Sequence, residues 1–121
     1  MSLKKNIAFV LFTTLVLSCT NENPDTLIDA TPIVGVVTYT LNVKSIIDNN
    51  CISCHATVPL NGAPMSLATY NDVKNAMLNR GLLNRISLNN GDELLMPQGG
   101  PRLPQPTIDV VAKWEQDGLI E

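Results

Sequence analysis

Residues 51–55 read Cys-Ile-Ser-Cys-His and hold most of the reactive side chains this chain has to offer. Four chemistries use two thiols at such spacing: a disulfide, half of a zinc site, a redox dithiol, or a pair of thioether bonds to the vinyl groups of a haem. The chain has 3 cysteines and 1 histidine in all. A structural zinc site takes four Cys or His ligands. The motif supplies three and Cys19 is remote in sequence, so a zinc site built by one chain is disfavoured. A redox dithiol of the C-x-x-C kind belongs in a strand-helix-strand frame, and no such alternation is present. Covalent haem fits better. Two thiols on one helical turn reach both vinyls, and the histidine that follows sets its ring over the iron as proximal ligand. Cys51, Cys54 and His55 are therefore expected to hold one haem c, with a dithiol or disulfide as the alternative.

A ligand for the other face of the iron must be a methionine, because His55 has no second histidine to accompany it. Met77 falls on the apolar face of a predicted helix, where methionine serves as core filler. Met65 follows His55 so closely that it stays on the proximal side. Met96 opens the stretch MPQGGPRLPQP and stands far enough beyond His55 for the chain to pass the ring and return on the opposite face. Pro97, Pro101, Pro104 and Pro106 stiffen that loop, while Gly99 and Gly100 permit tight turns. Met96 is the expected distal ligand; the plainer alternative is a core residue before a proline-rich loop. Arg80, Arg85 and Arg102 are read as surface cations rather than partners of haem propionates. No catalytic constellation or phosphate-binding glycine loop competes, so no enzyme activity and no small-molecule substrate are expected.

Helices must position these groups. In LNVKSIIDNN, Val43, Ile46 and Ile47 recur at helical spacing behind a cap at Thr40 or Asn42, and the run leads directly into Cys51. Thr69 with Asp72 forms a capping-box pattern before TYNDVKNAMLNR, in which Tyr70, Val73 and Met77 share a face and Gly81 ends the helix. A shorter helical piece is expected over Leu82–Leu88, then a turn at residues 89–91. The last helix is expected to start from Thr107 as cap behind Pro106, with Asp109 in its first turn. Val110, Val111 and Trp114 form its apolar face, Gly118 closes it, and Leu119 folds back. IVGVVTYT, residues 33–40, is β-branched and reads as a short extended segment against the domain. The fold class is mostly α, three to five short helices, without internal repeats.

The amino terminus sets the compartment. Lys4 and Lys5 precede an apolar run from Ile7 to Leu17, which is too short to span a bilayer. This is the pattern of a secretory signal, residues 1–18. Val16-Leu17-Ser18-Cys19 resembles the lipobox of bacterial lipoproteins, which implies cleavage before Cys19 and lipid attachment to its sulfur. Residues 19–35, polar with Pro24 and Pro32, read as a flexible tether, and residues 36–121 as the domain. Cleavage leaves six Lys and Arg against eleven Asp and Glu, a formal charge of −5. Such a balance argues against nucleic acid, whose phosphates need a basic surface, and suits partners with basic patches. The expected location is a bacterial membrane facing the periplasm, or the cell surface. Thr20, where an aspartate would retain a lipoprotein at the inner membrane, favours the outer one.

From about Val36 to the end, the chain resembles the small class I, single-haem cytochromes c of bacteria. The resemblance rests on CISCH after a helix, MPQGG downstream, and a terminal helix carrying an aromatic. It implies a membrane-tethered electron carrier with His55 and Met96 as axial ligands and transient redox proteins as partners. It also implies that the first and last helices cross, setting Val43, Ile46 or Ile47 against Val110, Val111 or Trp114. A proline carbonyl, matched here by Pro64, would accept the proximal ring N–H and fix its orientation. The alternative functions are a haem-based sensor or binder of small ligands, with a displaceable sixth ligand, and, behind it, a dithiol lipoprotein without haem. With 4% aromatic residues the core is thin for its length, and a buried macrocycle would enlarge it.

Overall fold

The β-branched and aromatic residues around Val37 do not build a sheet. In a computed structural model that describes residues 33–121, there is no strand among the described residues. The signal segment, Cys19 and nearly all of the tether lie outside them. Val37 and Tyr39 are buried, while Val34 and Val36 before them are exposed. Extended backbone reaches only as far as Thr38, at φ −118°, ψ 160°. Helix then begins at Tyr39, earlier than periodicity places it, as a π-helical turn over Tyr39–Val43 that runs into α1, Lys44–Asn50. The cap is Thr38, not Thr40 or Asn42: its hydroxyl accepts from the Leu41 amide at 3.3 Å. Asn42 reciprocates, its side-chain oxygen accepting from the Thr38 amide at 3.0 Å.

Helix α2, Tyr70–Arg80, has the cap its sequence announces. The Thr69 hydroxyl accepts from the Asp72 amide, and the Asp72 carboxylate accepts from the Thr69 amide. These bonds satisfy two backbone donors that the helix itself leaves unpaired. Gly81 stops it in the left-handed region at φ +66°, where a side chain would be strained. The same glycine starts α3, Leu82–Ser87. Helix α4 spans Gln105–Gln116, beginning ahead of the expected start. Thr107 is therefore inside the first turn and does not cap it, and Pro106 sits where a missing N–H is harmless. Asp109 is beyond the first turn and accepts from the Gln105 side chain at 2.7 Å, so it does not act on the helix dipole as expected.

Five elements enclose one core. Val43, Ile47, Val73, Ala76, Met77, Leu82, Ile86, Ile108, Val111 and Trp114 are all buried in it. Helix α4 packs on α3 and on the π-helical turn, and α2 packs on α3. The expected meeting of the first and last helices thus occurs at the turn preceding α1. Tyr39 stands 5.9 Å from Trp114 between ring centroids, and Tyr70 completes the group at 5.5 Å from Tyr39. Ile46 and Val110, both offered for this contact, are only partly buried.

The two ends of the described segment are tied across this aromatic group. Gly118, at φ +93°, turns the chain so that the Leu119 amide donates to the Trp114 carbonyl at 2.9 Å. The Tyr70 hydroxyl donates to the Leu119 carbonyl at 2.8 Å. The Ile120 carbonyl accepts twice, from the Tyr39 amide at 2.8 Å and from Trp114 Nε1 at 2.7 Å. On the incoming side, the Val37 amide donates to Asp117 Oδ2 at 2.7 Å, and Lys113 Nζ pairs with the same carboxylate. The entry and exit of the domain are thereby fastened to each other.

Candidate functional site

Helix α1 delivers Cys51 as its C-terminal cap, the Cys51 amide donating to the Ile47 carbonyl at 2.8 Å. A tight turn follows. The Cys51 carbonyl accepts from the Cys54 amide at 3.2 Å and from the His55 amide at 2.9 Å, which brings all three reactive residues of the motif around one peptide unit. Both thiols are free and half-buried. Burial pushes the Cys51 thiol up to about 11, and its place at the negative end of a helix works in the same direction. A thiol held in that way stays protonated at neutral pH and is a poor redox nucleophile. Asn61 Nδ2 approaches Cys54 Sγ at 3.6 Å, from a loop turned by Asn61 at φ +50° and Gly62 at φ +78°.

His55 is fastened through both its backbone and its ring. Its amide donates to Cys51, and its carbonyl accepts from the Leu67 amide at 2.8 Å. Its Nδ1 lies 2.8 Å from the Met65 carbonyl. The carbonyl that meets the ring is thus that of Met65, next along the chain from Pro64. With Nδ1 as the donor, Nε2 is left as the nitrogen able to bind a metal.

Met96 comes from a different part of the chain, and its loop is braced on both sides. The Met96 amide donates to the Arg85 carbonyl in α3 at 3.1 Å. Leu95 before it and Leu103 after it are buried. Arg102 ties the far limb down: its amide donates to Asn90 Oδ1 at 2.7 Å, its Nε to the Ser87 carbonyl at 3.3 Å, and its Nη2 to Gln105 Oε1 at 2.7 Å. Proline content points to a stiff loop, but nothing in the sequence marks Asn90 and Arg102 as its anchors. They stand at opposite ends of the loop and share a single side-chain-to-backbone bond.

These segments surround one cavity of about 470 Å³, within the range of cofactor sites. Cys51, Cys54, His55 and Met96 all line it, joined by Pro64, Met65, Leu82 and Ile86. Arg80 and Arg85 line it as well, whereas Arg102 does not. Met77 is buried in the core and absent from the lining, the filler role its position indicates. The groups in the cavity able to bond a cofactor are two thiols, one imidazole nitrogen and the thioethers of Met65 and Met96. Among the described residues no group of three or more His, Cys, Asp or Glu is arranged to hold a metal ion. No helix of the described residues is long and apolar enough to cross a membrane.

The fold and site define a small helical domain with a thiol-, imidazole- and thioether-lined cavity. No protein family, no curated protein and no solved structure matches this chain.

Proposed function

We propose that this domain is an electron carrier of the c-type cytochrome kind, holding one covalent haem. One observation carries the proposal: Cys51, Cys54, His55 and Met96, from segments well separated in sequence, line the same cavity. Two free thiols suit thioether bonds, and an imidazole whose Nδ1 is engaged suits iron binding through Nε2. The bound haem would supply a one-electron iron couple. The chain's residues do the rest. The turn at Cys51–His55 sets the thiols and imidazole in one local unit. The Met65 carbonyl holds the ring's orientation. The Arg85 carbonyl, with Arg102 and Asn90 behind it, presents the Met96 sulfur from a separate loop. Leu67, Leu82 and Ile86 exclude water from the interior of the cavity.

Were His55 and Met96 both to hold the iron, no open position would remain for a substrate, and the domain would act as a carrier rather than as an enzyme or a small-ligand sensor. The lipid anchor at Cys19 would keep the domain at a membrane, facing the periplasm or cell exterior, where redox partner proteins dock transiently. Carbon monoxide tests the proposal. The reduced protein is expected to bind it slowly or not at all at neutral pH, and Met96→Ala to bind it rapidly and stoichiometrically. Rapid binding by the unaltered protein would assign it to the sensor class instead.

A further inference from the structure

Six Lys and Arg side chains fall within residues 33–121, and four of them are engaged close to home. Lys44 pairs with Asp48 and Lys113 with Asp117. Lys74 Nζ donates to the Tyr70 hydroxyl at 3.0 Å, and Arg102 braces the Met96 loop. Arg80 and Arg85 are the remaining two. Among the described residues neither guanidinium has a hydrogen-bond or ion-pair partner, although eight acidic side chains lie in the same stretch.

Both line the cavity, and no aspartate or glutamate lines it with them. Its other polar side chains are Asn50, Ser53, Asn61, Gln98, Cys51, Cys54 and His55. Arg80 ends α2 and Arg85 lies in α3, so the two cations flank the corner made at Gly81. A cavity with two unpaired guanidiniums and no acid of its own favours an occupant that brings two negative charges. The planar fork of arginine matches a carboxylate through two parallel hydrogen bonds. Haem carries two carboxylates, its propionates, on one edge of the ring.

We propose that Arg80 and Arg85 form a two-fork clamp for the porphyrin propionates and so decide which edge of the ring faces the α2–α3 corner. The assignment rests on the haem reading above. It makes the arginines determinants of the redox potential as well as of orientation. A reduced iron carries one positive charge fewer than an oxidised one. Leaving a propionate uncompensated therefore favours the oxidised form. Because Arg85 is half-buried, its effect resists salt better than that of an exposed cation. The clamp also shares α3 with the Met96 loop, through the Arg85 carbonyl.

The test is a redox titration of the mature, haem-loaded protein at one pH, in low and high salt, comparing R80Q, R85Q and K44Q. Lys44 is exposed, outside the cavity lining, and loses the same charge when replaced. At the poise where the unaltered protein is half reduced, R85Q is expected to be several-fold more oxidised in high salt as well as low, and R80Q, which loses an exposed arginine, several-fold more oxidised in low salt with part of the change removed by high salt. K44Q is expected to show a small change that salt removes. R80K and R85K keep the charge and lose the fork, so they should fall between, and they stand in if the glutamine variants do not accumulate. Arginine variants that shift no more than K44Q overturn the clamp and leave the haem reading intact. A purified protein with the mass of peptide and lipid alone overturns both.

Discussion

Replacing Trp114 with phenylalanine tests the closure that links the two ends of the domain. Trp114 is fully buried, lies 5.9 Å from the Tyr39 ring and 6.4 Å from Tyr70, and donates through Nε1 to the Ile120 carbonyl. Phenylalanine keeps an aromatic ring beside both tyrosines and removes the donor. Loss of that hydrogen bond costs about 1 kcal/mol, and the space left by the smaller ring costs about 1 kcal/mol more. At roughly 4–8 °C per kcal/mol for a domain of this size, the midpoint should fall by about 8–16 °C. Alanine is harsher, about 3–5 kcal/mol, comparable with the whole stability of a marginal domain. Urea titration followed by far-ultraviolet circular dichroism gives the energies. Hydrogen exchange gives the mechanism: the Ile120 carbonyl also holds the Tyr39 amide, so Trp114→Phe should speed exchange at Tyr39 beyond the global loss. A phenylalanine variant within about 0.5 kcal/mol of the original, or one with unchanged relative protection at Tyr39, would refute the proposed closure.

Thr69→Ala removes half of the capping box on α2 and should destabilise the domain by about 1 kcal/mol, with Thr69→Ser close to neutral, both read from urea midpoints at constant slope. Asp117 should give stability a dependence on acid. The Lys113 ammonium and the Val37 amide hold its carboxyl below the ordinary carboxylate value. Its contribution is therefore complete above that ordinary value and is lost as the pH falls through the lower, folded one. Urea midpoints taken from roughly pH 5 down to pH 3 should fall less steeply in Asp117→Asn than in the unaltered protein; parallel curves would remove Asp117 from the account.

Local signals are legible where a short stretch carries its own geometry. Thr69 with Asp72, and Gly81 after Arg80, bound α2 as expected because a capping box and a left-handed glycine depend on near neighbours in the chain. The cysteine-histidine turn is legible for the same reason. The first helix is harder. Thr38 and Asn42 cap it reciprocally, and Tyr39 is drawn into helix by Trp114, Tyr70 and the Ile120 carbonyl, all distant in sequence. β-branched composition points to extended backbone, and tertiary contact overrides it from Tyr39 onward. At the α4 start, Pro106 marks the right turn of helix. Proline tolerates more than one position within that turn, so Thr107 reads as a cap that it is not. The cavity itself is legible only in part. The bonding groups follow from residue type, whereas Asn90, Arg102 and the Met65 carbonyl act through single long-range or backbone bonds that leave no pattern in sequence.

The central claim is that a porphyrin is bonded to Cys51 and Cys54, and intact mass with a visible spectrum of the purified protein addresses it most directly. The account predicts a mass above that of peptide plus lipid by one iron porphyrin, surviving denaturation, with a sulfur-to-iron absorption band that Met96→Ala abolishes. A colourless protein, or one whose haem is released by denaturant with both thiols still free to alkylation, would contradict it.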